Sequence, residues 1–440
     1  MTRNNRKRTS VTGIVLVLLW ITVTVHAQDT TRLSLIFAGD IMQHDAQIAE
    51  GYDPLTKTYD YTSCFSEIKP LLETADIAIG NLELNLAGPP YKGYPQFSSP
   101  DALATAVKYA GFDVVVNSNN HSVDRGRKGV ERTIRILDSM KIIHTGTFRD
   151  TTVRSQTYPL VLEKNGFRLS LLNYTYGTNG IPIPKPVVVN LIDTVQMKSD
   201  FAKARNQHTD AIIVFLHWGI ENQNLHNKMQ TQLAEFCFRQ GAKLVIGSHP
   251  HVLQPMEWHK EKDQLVVYSL GNFVSNMLNR YQYGGAAVLI DLEKVKDKNE
   301  QSKTTIKNAS YELEWVYRDG KGKYHILPLI DFENDTTKVA ESKARELQKQ
   351  FANDARGLLG KHNVNINEHT RADFVYRLSL MVTDNKEVND PVIQFYGVYK
   401  TQQGIVVGEF YDRETALIAK KEIVTKTVYK DLELVLVRKK

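Results

Sequence analysis

The sequence predicts an α/β layered sandwich with a small α+β appendage at its C-terminal end. Three observations predict it. Short runs of Val, Ile and Leu recur between residues 33 and 271, they are continuous rather than alternating, and helical segments separate them. Continuous apolar runs belong to strands covered on both faces, and intervening helices supply the cover. The last fifty residues repeat strand and helix patterns on a smaller scale.

The runs are LSLIFAG (33–39), DIAIG (76–80), FDVVVN (112–117), FRLSLLNY (167–174), AIIVFL (211–216), KLVIGS (243–248) and QLVVYSLG (264–271). Helical patterns occupy 101–111, 125–140 and 227–241, the last ending in a C-cap signal at Gln240-Gly241. Residues 294–303 read as a charged, solvated loop, and 310–329 as a hairpin turning at Asp319-Gly320-Lys321-Gly322. A helix is expected over 336–360 and a linker over 363–390. Within 391–440, VIQFYGVY and GIVVGEFYD read as strands, RETALIAKKEIVTKT as a helix and LELVLV as a closing strand. The expected organisation is a main domain over 28–330, a helical linker over 331–390 and a small unit over 391–440. That last unit resembles half of a SPOR peptidoglycan-binding domain, which implies contact with peptidoglycan. The plainer alternative is a cap on the main domain.

Composition bounds the function. The 440 residues are 42% hydrophobic and 24% charged, enough for a large core. A mean hydropathy of −0.34 excludes a polytopic membrane protein. The net charge of +6 is an N-terminal property: Arg3, Arg6, Lys7 and Arg8 account for four charges, and the remaining 51 basic and 49 acidic residues leave +2. A near-neutral body gives no electrostatic case for nucleic acid. The basic head is followed by an apolar run over 11–25 and by Val25-His26-Ala27, the pattern of an export signal over 1–27. The run is short of the about 20 residues of a spanning helix, so a cleaved signal is expected, with an N-terminal anchor as the alternative. Either places the chain outside the cytoplasm, in the periplasm or cell envelope. Two cysteines exclude a disulfide scaffold; Cys64 and Cys237 are either paired or two free buried thiols. No Gly-x4-Gly-Lys-Ser/Thr signature is present, so the chain is no ATP-driven ligase by itself.

The polar residues fall where the strands end. Asp40, Asn81 with Glu83, Asn120 with His121, His217, His249 with His251, and Asn272 each follow an apolar run. In α/β sheets the C-terminal strand ends share a rim, and ligands bind there. Asn81 and Glu83 point the same way in an extended chain. His249 and His251, at i and i+2 in a loop, suit metal ligation. Imidazole, carboxylate and amide donors without Cys suit Zn, Mn or Fe, and the bridging capacity of Asp40 and Glu83 suggests two divalent cations. A two-metal clamp fits phosphate ester hydrolysis. Lys92, in a Pro-flanked loop, is a candidate contact for an anionic substrate or a solvated lysine; Asn81 and Asn272 are further substrate-binding candidates. His226 and His259 lie outside the strand ends and read as surface histidines.

GDIM (39–42), GNLE (80–83), NSNNHSVDRG (117–126), FLHWG (215–219), GSHPHVLQP (247–255) and YSLGNF (268–273) together resemble the CapA/PgsA poly-γ-glutamate capsule biosynthesis family, whose domain is similar to calcineurin-type metallophosphoesterases. The resemblance covers about residues 33–329. It implies a four-layer α/β sandwich with metals at the sheet rim and Asp40, Glu83, Asn120, His217, His249 and His251 as ligands. It also implies that His121 stands beside the substrate, to protonate the leaving oxygen or to hold a non-bridging oxygen. Asp124 is then a partner fixing that imidazole or, alternatively, a helix N-cap. The implied partners are a phosphorylated substrate or an anionic envelope polymer, and a membrane-bound synthesis complex. The sequence departs from the phosphoesterase pattern at Met42, where Asp-x-His is expected; His44 is nearby, but i+4 is the wrong spacing along a strand. A non-catalytic polymer-binding or export factor with a degenerate metal site is the competing reading.

Overall fold

The computed structural model describes residues 30–296, 301–380, 388, 390–401 and 404–439. The expected export segment over 1–27 lies outside the described residues. A nine-stranded sheet runs in the order Tyr324–Pro328, Ser302–Arg318, Gly284–Lys296, Thr30–Ile41, Ile77–Leu82, Val114–Val116 and Ile143–Thr145; two short strands, Asn272–Val274 and Asn367–Glu368, pair onto it. A six-stranded sheet runs Met256–His259, Gln264–Val267, Leu244–Ser248, Ala211–His217, Phe167–Thr175 and Leu160–Lys164.

The continuous apolar runs divide by parity. Leu35, Phe37, Ile79, Val114 and Val116 of the first sheet share one core with Leu169, Leu171, Ile213, Phe215, Leu244 and Ile246 of the second. Ile36, Ala78 and Val115 point the other way and meet Leu103, Ala106 and Val107 of the helix Ala102–Tyr109. Leu172, Val214 and Val245 meet Met197, Phe201 and Ala204 of the helix Thr194–Asn206, and Ala234 and Cys237 of Lys228–Arg239. Successive side chains of a strand face opposite ways, so a strand buried on both faces must be apolar throughout. The result is the expected four-layer α/β sandwich, helix on sheet on sheet on helix. Cys64 lies in the core outside the first sheet and Cys237 in the core outside the second, so two sheets stand between these free thiols.

Three local expectations are corrected. The charged stretch 294–303 is strand as far as Lys296 and again from Ser302, because the ladder pairs Val295 with Lys303 and Lys296 with Ser302; residues 297–300 lie outside the described residues. The hairpin expected over 310–329 is present, pairing Glu314 with Pro328 through Arg318 with Tyr324, and its turn is as expected, with Gly322 at φ +84° and the Asp319 carboxylate accepting the N–H groups of Lys321 and Lys323. The strand expected at VIQFYGVY is a helix, Pro391–Tyr396, and then a strand from Val398; Pro391 opens the helix, and the Asp390 carboxylate accepts from Val392 N–H. The stretch read as a linker contains Phe374–Leu380, an interior strand of the C-terminal sheet, whose order is Val398–Thr401, Gly404–Phe410, Phe374–Leu380, Leu432–Arg438. Its Phe374, Tyr376, Leu378 and Leu380 alternate into the core with Ile393, Ala419 and Ile423 of two helices. The chain order is thus β-α-β-β-α-β, a complete split βαβ unit rather than half of one. Arg438 to Asp291, Arg413 to Glu67 and Arg371 to Asp331 tie it to the main body. The helix Ser342–His362 packs Phe351, Ala352, Ala355 and Leu359 onto the core between the sheets.

Candidate metal centre

The rims of both sheets contribute, facing one another. In the first sheet, parallel pairing aligns Asp40 with Asn81 on one side and with Asn272 on the other. Glu83 follows the strand Ile77–Leu82, and Asn120 and His121 lie in the turn after Val114–Val116. In the second sheet, His217 ends its strand in register with Ser248. His249 and His251 follow with φ +99° and +59°, a left-handed backbone that L-residues rarely adopt and that needs support from its surroundings. That support includes a cross-rim bond: His249 N–H donates to Asp40 Oδ2 at 3.2 Å.

Two groups of donors result, Asp40-Glu83-His217 and Glu83-His249-His251, with ligand atoms within 4.8 Å of one another in each. Glu83 belongs to both. Its Oε1 lies 3.4 Å from His217 Nε2 and 3.7 Å from His251 Nε2. Asp40 Oδ1 accepts from Asn81 Nδ2 at 2.8 Å, and Oδ2 stands 3.1 Å from His251 Nδ1, which is equally close to Asn272 Oδ1. With Nδ1 so engaged, His251 turns Nε2 toward Glu83. His217 sets Nε2 2.8 Å from Asn120 Oδ1 and Nδ1 2.9 Å from Ser248 Oγ.

All these side chains are buried, and the electrostatics follow. Burial, reinforced by the neighbouring Asp40 charge, raises the Glu83 carboxyl well above the ordinary range. Burial, then the other imidazoles, lowers His217 and His249 well below the usual histidine value. For His251 burial pulls the same way, but the bond and charge of Asp40 outweigh it and its pKa is raised. Among the described residues, Glu83 Oε1 and His249 Nδ1 are buried with no hydrogen-bond partner. Unpaired lone pairs and adjacent carboxylates in a dry site are costly unless a cation joins them. Carboxylate oxygens, neutral imidazoles and an amide oxygen are donors that divalent cations accept, so the residues present fit a metal site.

His121 and Asp124 form a pair beside this cluster. Asp124 Oδ2 stands 2.7 Å from His121 Nδ1 and also accepts from Phe97 N–H at 2.8 Å. Asp124 is not the helix N-cap; Arg125 holds that position before Gly126–Ser139. Asn119 ties the loop down, donating to Leu82 O and Asn81 Oδ1 and accepting from His121 N–H. Asn81 and Asn272 are engaged with Asp40 and His251, so they stand behind the donors rather than open toward a substrate. Lys92 pairs with Asp45 on the surface, its side chain 52% exposed. His226 is half-buried and stacks on Tyr268, ring centroids 3.6 Å apart, so it is no surface histidine; half-buried His259 pairs with Glu257. Met42 is buried in the apolar core and offers nothing to the cluster. Sequence reasoning passed over Tyr176, whose ring lies 4.6 Å from that of His249, and Asn179, which accepts from Asn120 Nδ2. Both follow the end of the strand Phe167–Thr175, so the rule that found the others points to them too.

Residues 34–277 match the family described as bacterial capsule synthesis protein PGA_cap. The capsule biosynthesis protein CapA of Bacillus anthracis is 30% identical over 267 residues, covering 57% of this chain and 61% of its own. The PGA biosynthesis protein CapA of Bacillus subtilis is 28% identical over 251 residues, covering 55% and 63%. The chain thus spans about three fifths of the length of each relative. Solved structures align loosely, among them the NAD nucleotidase of Haemophilus influenzae (15% identity, TM-score 0.37, covering 75% of this chain and 61% of that one) and the 5′-nucleotidase of Candida albicans (10%, 0.35, covering 74% and 57%). The sandwich rests on its own sheet pairing, and the matched stretch carries every donor of the two groups: this chain belongs to the PGA_cap family of bacterial capsule synthesis proteins.

Proposed function

We propose that this chain is an exported, metal-dependent phosphoesterase-type hydrolase acting in the biosynthesis of an anionic envelope polymer of the poly-γ-glutamate kind. The observation that carries the reading is Glu83, shared by two donor groups with one oxygen left unpaired in a buried site. Asp40, Glu83, His217, His249 and His251 would hold divalent cations, two of Mn, Zn or Fe, which would supply Lewis acidity, activation of water and neutralisation of charge on a phosphoryl group. The chain's own residues do the rest. Asp124 holds His121 by Nδ1 and leaves Nε2 to protonate the leaving oxygen. The Phe97 ring, 4.6 Å from that of His121, restricts the imidazole and excludes water from one side.

The work is assigned to the periplasm or cell envelope, with residues 11–25 as signal or anchor. Among the described residues no helix is long and apolar enough to cross a membrane. The partners proposed are a phosphorylated substrate or the anionic polymer, a membrane-bound synthesis complex, and peptidoglycan for the C-terminal unit. Buried Met42 favours a second reading, a polymer-binding or export factor with a weakened metal site.

Metal analysis of the purified chain, followed by assay on p-nitrophenyl phosphate and bis-p-nitrophenyl phosphate, tests the proposal. Bound divalent metal and phosphoester cleavage are expected. Metal-free protein that cannot be loaded, or loaded protein that releases no p-nitrophenol, overturns it and leaves the second reading.

A further inference from the structure

The strand that delivers Asp40 ends at Ile41, and the chain then turns into the short helix Asp45–Glu50. Spacing along a strand therefore says nothing about His44, and its surroundings do. Its Nδ1 lies 3.2 Å from the backbone N–H of Asn276, four residues beyond the Asn272 that holds His251. Its ring meets the Phe97 ring edge-on at 5.5 Å, and the Phe97 ring also meets that of His121, at 4.6 Å. His44 thus shares Phe97 with His121 and is bonded to the stretch that holds His251, close to where Met42 turns into the core. Burial, the largest influence, lowers its pKa, and the nearby imidazoles of His251 and His121 press the same way.

Its nitrogens are not equivalent. A backbone N–H can only donate, so Nδ1 is the acceptor for Asn276 and the ring proton belongs on Nε2. Gln47 Oε1 is also 3.3 Å from Nδ1, but that oxygen already accepts from His44 N–H at 2.8 Å. No partner of Nε2 is found among the described residues, and the side chain is only half-buried. His44 also lies outside both donor groups, so it is not placed as a ligand.

We propose that His44 is a substrate-contacting residue whose Nε2–H donates a hydrogen bond to a non-bridging oxygen of a tetrahedral oxyanion, the phosphoryl group, held at the donor cluster. This rests on the phosphoesterase reading and extends it: two imidazoles that share Phe97, His121 and His44, contact the anion. A neutral N–H donor suits an anion already facing cations, because it adds recognition without added charge.

The test uses the full chain, metal-loaded, with inorganic phosphate as the probe in titration calorimetry and p-nitrophenyl phosphate in kinetics. His44→Ala is expected to weaken phosphate binding and raise KM by about 10-fold or more, the cost of one hydrogen bond to a charged group. Metal content should not change, and kcat should fall by less than KM rises. His44→Gln, which keeps an N–H at the same reach, should recover most of the loss. Unchanged phosphate affinity in His44→Ala, or loss of metal from both variants, overturns the assignment. Wild type that binds phosphate through His44 yet cleaves nothing upholds the contact and removes the hydrolase. Wild type that binds no phosphate removes both.

Discussion

Glu83 and Glu314 begin alike. Each is a carboxyl sealed from solvent, each has orphaned oxygen among the described residues, and burial raises each well above the ordinary carboxylate range. Their company differs. Around Glu83 stand Asp40, His217, His249 and His251, brought in from two sheets. Around Glu314, on the strand Ser302–Arg318, burial is what raises the carboxyl, with no charged partner among the described residues. Its neighbour Glu312 has, among the described residues, one bond, from Ile330 N–H. A buried carboxyl without hydrogen bonds is therefore not in itself a site. A proton is enough to relieve Glu314, whereas the convergent lone pairs at Glu83 call for a cation.

Three experiments sharpen or break that contrast. The largest effect is expected at the cleft: His121→Ala should lower kcat on a cleaved phosphoester by about 10²–10⁴-fold, and Asp124→Asn by about 10–100-fold, while Glu314→Gln leaves kcat as it was. Steady-state kinetics on the three variants decides it, and an equal loss in Glu314→Gln would erase the distinction.

Metal removal should come next. Cation that binds only the folded chain adds about 2.7 kcal/mol when present at about a hundred times its dissociation constant. Chelation should therefore lower the melting temperature of wild type and of Glu314→Gln alike, and leave that of Glu83→Ala unmoved. A chelator response retained in Glu83→Ala would place the cation elsewhere.

The smallest effect is in pH dependence. Below the ordinary carboxylate pKa, Glu314 is protonated in both the folded and unfolded chain and costs no stability through ionisation. As pH rises from that value toward the raised folded pKa, the unfolded chain sheds a proton that the folded chain keeps, so wild-type stability falls. Glu314→Gln lacks this loss. Its stability should therefore fall less than that of wild type between about pH 4 and neutral pH. Denaturant melts of metal-loaded protein across that window report it; parallel curves would mean that Glu314 ionises freely.

The legible parts of the molecule share a cause. Asp40, Glu83, His217, His249 and His251 interrupt apolar runs, and polar residues after a fully buried strand stand out against it. Lys92 did not stand out for its chemistry, and it pairs with Asp45. Strand spacing set His44 aside as a ligand, and it lies outside both donor groups; its surroundings are set by the turn after Ile41, where the strand ends. The strand Phe374–Leu380 was hidden because its partners, Gly404–Phe410 and Leu432–Arg438, lie far along the chain and no local turn announces the pairing.

By itself the sequence determined the alternation of buried strands and helices, and which strand ends carry donors, because both are written in local periodicity. Only the tertiary structure decided that two sheets stack so that their rims oppose. It alone bends His249 and His251 into left-handed backbone and brings His249 to Asp40 across 209 positions. Those outcomes come from burying one sheet face against another, a long-range free energy that no short window of residues contains.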